Sequence, residues 1–419
     1  MMSILRVVTV LCVFWVGTAV SYSWEVVHQD EGRHEFYSVA FGNGRYIACG
    51  TSGFAVTSED GSVWSETDLF PEDWDRLKGT LKAIRWNGER FVAVGSWGTV
   101  LTSSEGDTWE SYQDSIGNTS IAFEDVTFGN DMWVAVGWSG SAEGGHHIFT
   151  SSDGMSWEEQ ESPVTEAFHR LYGVYWDSVL NIFIAVGNNV CILTSDNGID
   201  WYEQESPIEE SNYRTVVRYG EMLVIGGSHD DMWAYAAIIT SLDGLEWEQQ
   251  EVPLNDMGFS SSVYELVVGE DALLGFSRFF YSSDDGIEWE ISRETEEYAF
   301  LNAGLYRDSV YIGVGSDLTI LRAEIRETAL IDEPARDVNA FRPYVFADGL
   351  HNLRLPRGSH HVQLFTLKGE LVWRESVWAE HANEMVPLSL PRSITDVGRM
   401  YIMRVIHGDE TLFQDRIRF

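Results

Sequence analysis

Short apolar runs ending in glycine recur along most of the chain. Tyr46-Ile-Ala-Cys-Gly50, Phe91-Val-Ala-Val-Gly95, Trp133-Val-Ala-Val-Gly137 and Phe183-Ile-Ala-Val-Gly187 are near copies. Leu223-Val-Ile-Gly-Gly227 and Leu273-Leu-Gly-Phe276 are looser ones, and Tyr311-Ile-Gly-Val-Gly315 is a seventh. Consecutive apolar positions without alternation predict strands buried on both faces. A further strand precedes each run, as at Phe36-Tyr-Ser-Val39 and Phe123-Glu-Asp-Val126, joined to it by turn residues such as Gly42-Asn-Gly44.

After six of the seven runs comes a polar turn closed by tryptophan. Its copies place Asp60-Gly61 before Trp64, Glu105-Gly106 before Trp109, Asp153-Gly154 before Trp157, Asn197-Gly198 before Trp201, Asp243-Gly244 before Trp247 and Asp285-Gly286 before Trp289. Each glycine supplies a positive φ, the acidic or amide side chain before it accepts backbone N–H groups, and the tryptophan carries apolar area between neighbouring sheets. The tryptophans follow one another at 45, 48, 44, 46 and 42 residues. That period, built from short strands, predicts an all-β fold, a seven-bladed β-propeller over residues 22–326. The seventh blade lacks the turn, and Trp24-Glu-Val-Val-His-Gln29 mirrors the segment that follows each turn elsewhere, as Trp157-Glu-Glu-Gln160 does. This strand is expected to complete the blade begun by residues 300–326 and so remove an open edge. A six-bladed ring with a spare strand is the alternative.

The turn resembles the Asp-box (BNR) repeat of bacterial sialidases and related secreted propellers, with Glu105 and Asn197 departing from the aspartate. In that resemblance the turn residues are structural and function sits on the opposite face. Sialidases of the group require three arginines, a nucleophilic tyrosine and acidic partners. Their Arg-Ile-Pro segment is missing, and Arg45 and Arg90 fall in inner hairpins. Xyloglucan-cleaving relatives use two carboxylates across a cleft between two propellers, and this chain has one. The seven-bladed photosystem II assembly-factor group matches in fold, but its arginine-rich patch is not evident.

Residues 1–21 read as a secretory signal peptide, with a basic start to Arg6, an apolar core from Val7 to Val20 and a small-residue cleavage site at Ala19-Val-Ser21. The mature chain is expected to be secreted or held at the cell surface, without a transmembrane segment. Glu327 to Asn339 read as a linker, and residues 340–419 as a small C-terminal β-sandwich with a hairpin turning at Lys368-Gly369. Gly398, Tyr401, Arg404 and the Arg416–Arg418 tail make this unit similar to the sorting domain of type IX secretion cargo, although the usual Asn-Pro opening is replaced by Arg342-Pro343. The resemblance implies the type IX machinery as a partner; a generic immunoglobulin-like module is the alternative.

Charge is uneven. The chain has 27 Lys and Arg against 66 Asp and Glu, a net −39, or −40 without Arg6. Residues 327–419 hold 11 basic and 13 acidic groups, which leaves 15 against 53 for residues 22–326. Such a surface repels nucleic acid and anionic membranes and attracts cations or basic proteins, and it also confers solubility. Cys49 and Cys191 are expected to be buried thiols in equivalent strands of blades 1 and 4, too distant for a disulfide.

Candidate ligand contacts lie on enlarged loops of the face opposite the turns. They are Trp74 beside Asp73 in the Asp68–Asp75 linker, Trp97, Trp138, and Asp230, Asp231, Trp233 and Tyr235 in the Ser228–Tyr235 loop. Aromatic rings with carboxylates suit a glycan or protein ligand. His146-His147 and His229 lack established metal-ligand spacing, so neither a metal nor another cofactor is expected. The expected function is non-catalytic ligand binding by a monomer, with no catalytic residues; the alternative is a glycoside hydrolase using loop carboxylates on a neutral glycan.

Overall fold

The computed structural model describes residues 7–10, 20–30, 34–72, 74, 77–117, 120–140, 145–164, 169–229, 235–254, 260–270, 272–278, 280–292 and 300–327, and seven strands between Tyr344 and Arg418. The chain divides into two compact units, with the boundary after Arg326.

The first unit is a seven-bladed propeller of antiparallel four-stranded sheets. Blade 1 runs Phe36–Gly42, Arg45–Gly50, Ala55–Ser58 and Ser65–Thr67, from the channel outward. Blades 2 to 6 repeat this order, starting from Leu81–Trp86, Ile121–Gly129, Leu171–Asp177, Ser211–Tyr219 and Glu265–Val268. Blade 7 is built from Leu301–Arg307, Val310–Gly315 and Ile320–Glu327, and its fourth strand is Val20–His28 from the other end of the unit. The inner strands touch one another in a closed cycle, blade 7 meeting blade 1. The seven-bladed expectation and the N-terminal closure both hold. Trp24 takes the place of the missing turn tryptophan, fully buried with its ring 5.1 Å from Phe280 and 6.2 Å from Tyr311. Val7–Val10 adds a fifth strand by pairing antiparallel with Tyr22–Glu25.

The core is a series of layers between blades. Ile47 and Cys49 of blade 1 face Ile84, Phe91 and Trp109 of blade 2, and the same layer repeats around the ring. The backbone at the start of each blade's first strand comes close to the end of its second, which explains the glycine ending six of the seven apolar runs. A Cβ on Gly137 would lie 2.2 Å from the carbonyl oxygen of Ala122, and five of the other six runs show the same contact.

The six turns share one hydrogen-bond pattern. In blade 3, Ser151 Oγ accepts the Gly154 N–H at 2.8 Å, and Asp153 Oδ1 accepts those of Met155 and Ser156 at 2.8 Å each. Trp157 Nε1 donates to Gly154 O at 3.2 Å. Gly154 has φ +73°. Asn197 reproduces both amide bonds of the aspartate. At Glu105 the serine and tryptophan bonds hold the turn, while the longer side chain makes none of the aspartate's bonds to following amides.

Cys49 and Cys191 are both buried free thiols, and burial pushes each up to about 12. Their positions differ from expectation: Cys49 lies in the second strand of blade 1, whereas Cys191 lies before the third strand of blade 4, Ile192–Ser195.

The second unit holds two antiparallel sheets. One orders Tyr344–Val345, His351–Leu355 and Glu384–Leu388; the other orders Leu371–Ala379, Gly358–Phe365, Met400–His407 and Glu410–Arg418. Gly358–Phe365 and Leu371–Ala379 pair as a hairpin. Residues 328–343, Lys368-Gly369 and Gly398 lie outside the described residues.

Candidate functional site

Six of the seven inner strands carry a bulge near their start. The register skips Tyr37, Lys82, Glu124, Tyr172, Arg214 and Asn302 in blades 1, 2, 3, 4, 5 and 7. Tyr264 takes the corresponding place just before the inner strand of blade 6, its N–H bonded to Phe276 O. A bulge re-aims the side chain it carries, and all seven line the central channel, a cavity of about 930 Å³. In antiparallel blades the start of the first strand faces the end of the second. The ring therefore opens on the face of the interblade linkers and second-to-third-strand loops, opposite the tryptophan turns.

At this mouth cations sit on aromatic faces. Lys82 Nζ lies 3.7 Å from the Tyr37 ring centre, and the Arg214 guanidinium lies 4.7 Å from Tyr172 and 5.0 Å from Tyr264. Lys82 also stands 3.9 Å from Glu124, whose Oε1 accepts the Trp138 indole N–H at 2.8 Å.

One residue deeper, the side chains stitch blades together. Ser38 Oγ accepts the Ile84 N–H, Asp125 Oδ2 that of Val174, and Thr215 Oγ1 that of Leu266. Asp125 Oδ1 accepts Arg85 Nη2 at 2.9 Å and its own neighbour's N–H at Val126. Arg85 Nη1 donates to Ser38 Oγ and Ile84 O. Arg85 is 36% exposed and lines the channel. Burial raises Asp125, opposed by Arg85 and the two amides. Glu265 faces this pair from blade 6; burial, with Asp125 adding to it and Arg85 opposing, pushes it from 4.5 to about 8.

Four of the propeller's 15 basic residues, Lys82, Arg85, Arg214 and Arg307, line the channel, and so do only four of its 53 acids, Glu35, Glu124, Asp125 and Glu265. The channel is thus balanced in charge inside an acidic ring. Sequence reasoning found no basic cluster because these residues are spread over blades 2, 5 and 7, with only Lys82 and Arg85 sharing a strand. The signal was available once first strands were aligned: Leu81-Lys82, Leu171-Tyr172, Tyr213-Arg214 and Leu301-Asn302 each set a buried side chain before a channel one.

The loop candidates are not gathered into a groove. Trp74 packs on Phe70 at 4.9 Å. Trp97 is 47% exposed at the tip of the blade 2 loop, its carbonyl accepting Gln113 Nε2. Trp138 bonds Glu124 and is covered by Arg170 at 3.8 Å, so the ring meets the channel wall already occupied. Tyr235 is exposed on blade 5 opposite His229. Asp73, Asp230, Asp231 and Trp233 lie outside the described residues. His147 Nδ1 pairs with Glu159 at 2.5 Å, and burial beside His169 and His147 lowers His146 to about 4. Among the described residues no group of His, Cys, Asp or Glu is placed to hold a metal, and no helix is long and apolar enough to cross a membrane.

Comparison with solved structures returns propellers. YCF48 from Cyanidioschyzon merolae is 14% identical, covering 72% of this chain and 98% of that one with a TM-score of 0.53. YCF48 bound to D1 peptide is 14% identical over 76% and 99%, with a TM-score of 0.55. Selenomethionine-substituted virginiamycin B lyase from Staphylococcus aureus is 11% identical over 73% and 100%, with a TM-score of 0.58. At such identities the likeness is one of fold. No curated protein matches the sequence. Residues 76–310, more than half of the chain, match the DUF6242 beta propeller domain, and the chain belongs to that family.

Proposed function

We propose that the chain is a non-catalytic binding propeller that takes a peptide segment of a protein partner at the loop-face mouth of its channel. The observation that carries this is the channel itself: about 930 Å³, open beside three tyrosines, and charge-balanced within a ring of 15 basic and 53 acidic groups. Peptides match it in chemistry, since side chains supply both apolar and charged groups to one cavity. YCF48, a neighbour in fold, binds a D1 peptide, which supports the reading by analogy.

Glycan hydrolysis is the second reading, favoured by one observation, the raised Glu265 beside Asp125 in a deep cavity. Against it, Asp125 has both oxygens engaged by Arg85 and backbone amides, and a hydrolytic pair needs two carboxylates free to face one sugar. The six turns support membership of the Asp-box group. We extend the proposal to export through residues 1–21 and to a C-terminal β-sandwich that serves as a sorting domain. The test is a screen of the full chain against a peptide library and a glycan array. Captured peptides without glycan turnover are expected; turnover of any glycan would overturn the binding reading.

A further inference from the structure

At its centre the channel sets one cation against two carboxyl groups. Asp125 answers Arg85 directly at 2.9 Å. Glu265 is left over: it lines the cavity, and among the described residues its carboxyl has no hydrogen-bond donor or ion-pair partner. A half-buried carboxyl facing Asp125 across this cavity is costly to ionise, which favours its protonated form where a second cation would balance the site. Aromatic faces at the mouth already host cations, with Lys82 on Tyr37 and Arg214 between Tyr172 and Tyr264. The excess of acids on the propeller draws further cations toward it.

We propose that the channel centre is a receptor for one cationic group of the ligand, an ammonium or guanidinium, which takes the place of the proton on Glu265. This rests on the peptide-binding reading and narrows it to peptides presenting a lysine, an arginine or a free amino terminus. Arg85 from blade 2 and Asp125 from blade 3 are the charged groups that face Glu265. The remaining charged groups of the channel wall are Glu35, Lys82, Glu124, Arg214 and Arg307. The proton balance is simple: Glu265 loses H⁺ to solvent, the ligand's cation stays protonated, and the site's net charge is unchanged.

The test is calorimetry of the full chain with n-butylammonium chloride in two buffers of different ionisation enthalpy. With Glu265 near 8, binding at pH 7 should release about nine-tenths of a proton. Release should vanish by about pH 9.5 while affinity rises about tenfold. Glu265→Gln, which keeps shape and hydrogen-bonding capacity, should abolish both the release and the pH dependence, with melting at pH 7 no lower than that of the wild type. Neutral 1-pentanol should not compete. No binding of butylammonium, binding without proton release, equal binding of pentanol, or release that persists in Glu265→Gln would each overturn the proposal. Peptides captured with no proton release would sink this inference and leave the peptide reading intact. Proton-coupled butylammonium binding with no captured peptide would do the reverse.

Discussion

The tryptophan turns and the channel wall are both built from one residue set per blade, yet they obey opposite rules. In the turns an aspartate returns at the same place in four blades, and its atoms meet the same backbone partners from Asp60 to Asp285, with Asn197 reproducing those bonds and Glu105 alone departing. In the channel wall equivalent positions carry Tyr37, Lys82, Glu124, Tyr172, Arg214, Tyr264 and Asn302. Repetition marks what every blade needs in order to fold. Variation at positions the fold makes equivalent marks where the ring has been differentiated, and there a ligand site is to be sought.

Asp125 is the residue most able to break this division, since it belongs to the channel but also accepts the Val174 N–H of the next blade. Asp125→Ala should cost about 3–5 kcal/mol in urea unfolding, because it strands the Arg85 charge. A loss under 1 kcal/mol would make Asp125 a ligand residue alone. Next in size is Gly137→Ala, whose Cβ would meet Ala122 O; about 1–3 kcal/mol should be lost with ligand affinity of the remaining folded fraction unchanged. Within the turns, Asp153→Ala orphans two amides and should cost about 1–2 kcal/mol. Glu105→Asp should gain about 0.5–1 kcal/mol by restoring bonds that the glutamate does not make. Equal effects at the two positions would show that the carboxylate bonds contribute little to the turn.

The smallest effect is a contrast in pH dependence. Amides of Ser62 and Val63 hold Asp60 below its ordinary value, and those of Glu246 and Leu245 do the same for Asp243. Their contribution is present above the ordinary aspartate range and is lost as pH falls through the depressed values. Glu265 runs the other way. Raised from 4.5 to about 8, it contributes stability that is fully present below 4.5 and lost as pH rises through 8. Melting followed from pH 3 to 9 should therefore weaken at both ends, with Glu265→Gln flattening the alkaline side alone. An alkaline limb that survives this substitution would assign it elsewhere in the molecule.

These contrasts explain what could be read from the chain. The turns were legible because Gly154 and Trp157 act through bonds to neighbours within three residues, so the motif and its physical reason share one stretch of sequence. The closing strand was legible because Trp24 repeats the signature of a segment that follows each turn. Arg85 and Glu265 were not, being separated by blades 3, 4 and 5 and joined only by the closure of the ring. Trp97 and Trp138 misled for the converse reason: loops rich in aromatic residues look like a site, but one ring stands alone on its blade and the other is already covered by Arg170.

The strand Val20–His28 has a consequence in time. Its partner Ile320–Glu327 follows it by about 300 residues, which at synthesis rates of about 5–20 residues per second is a wait of about 15–60 s. Throughout that interval six blades can assemble in sequence, but the arc they form has no final edge to dock against, and the cycle of inner strands is open. Every chain cut short before Ile320 is left in that state, with two free sheet edges available to proteases and to other chains. The last strand of the propeller thus acts as a check on length: only a chain translated as far as Glu327 can hide the strand Val20–His28.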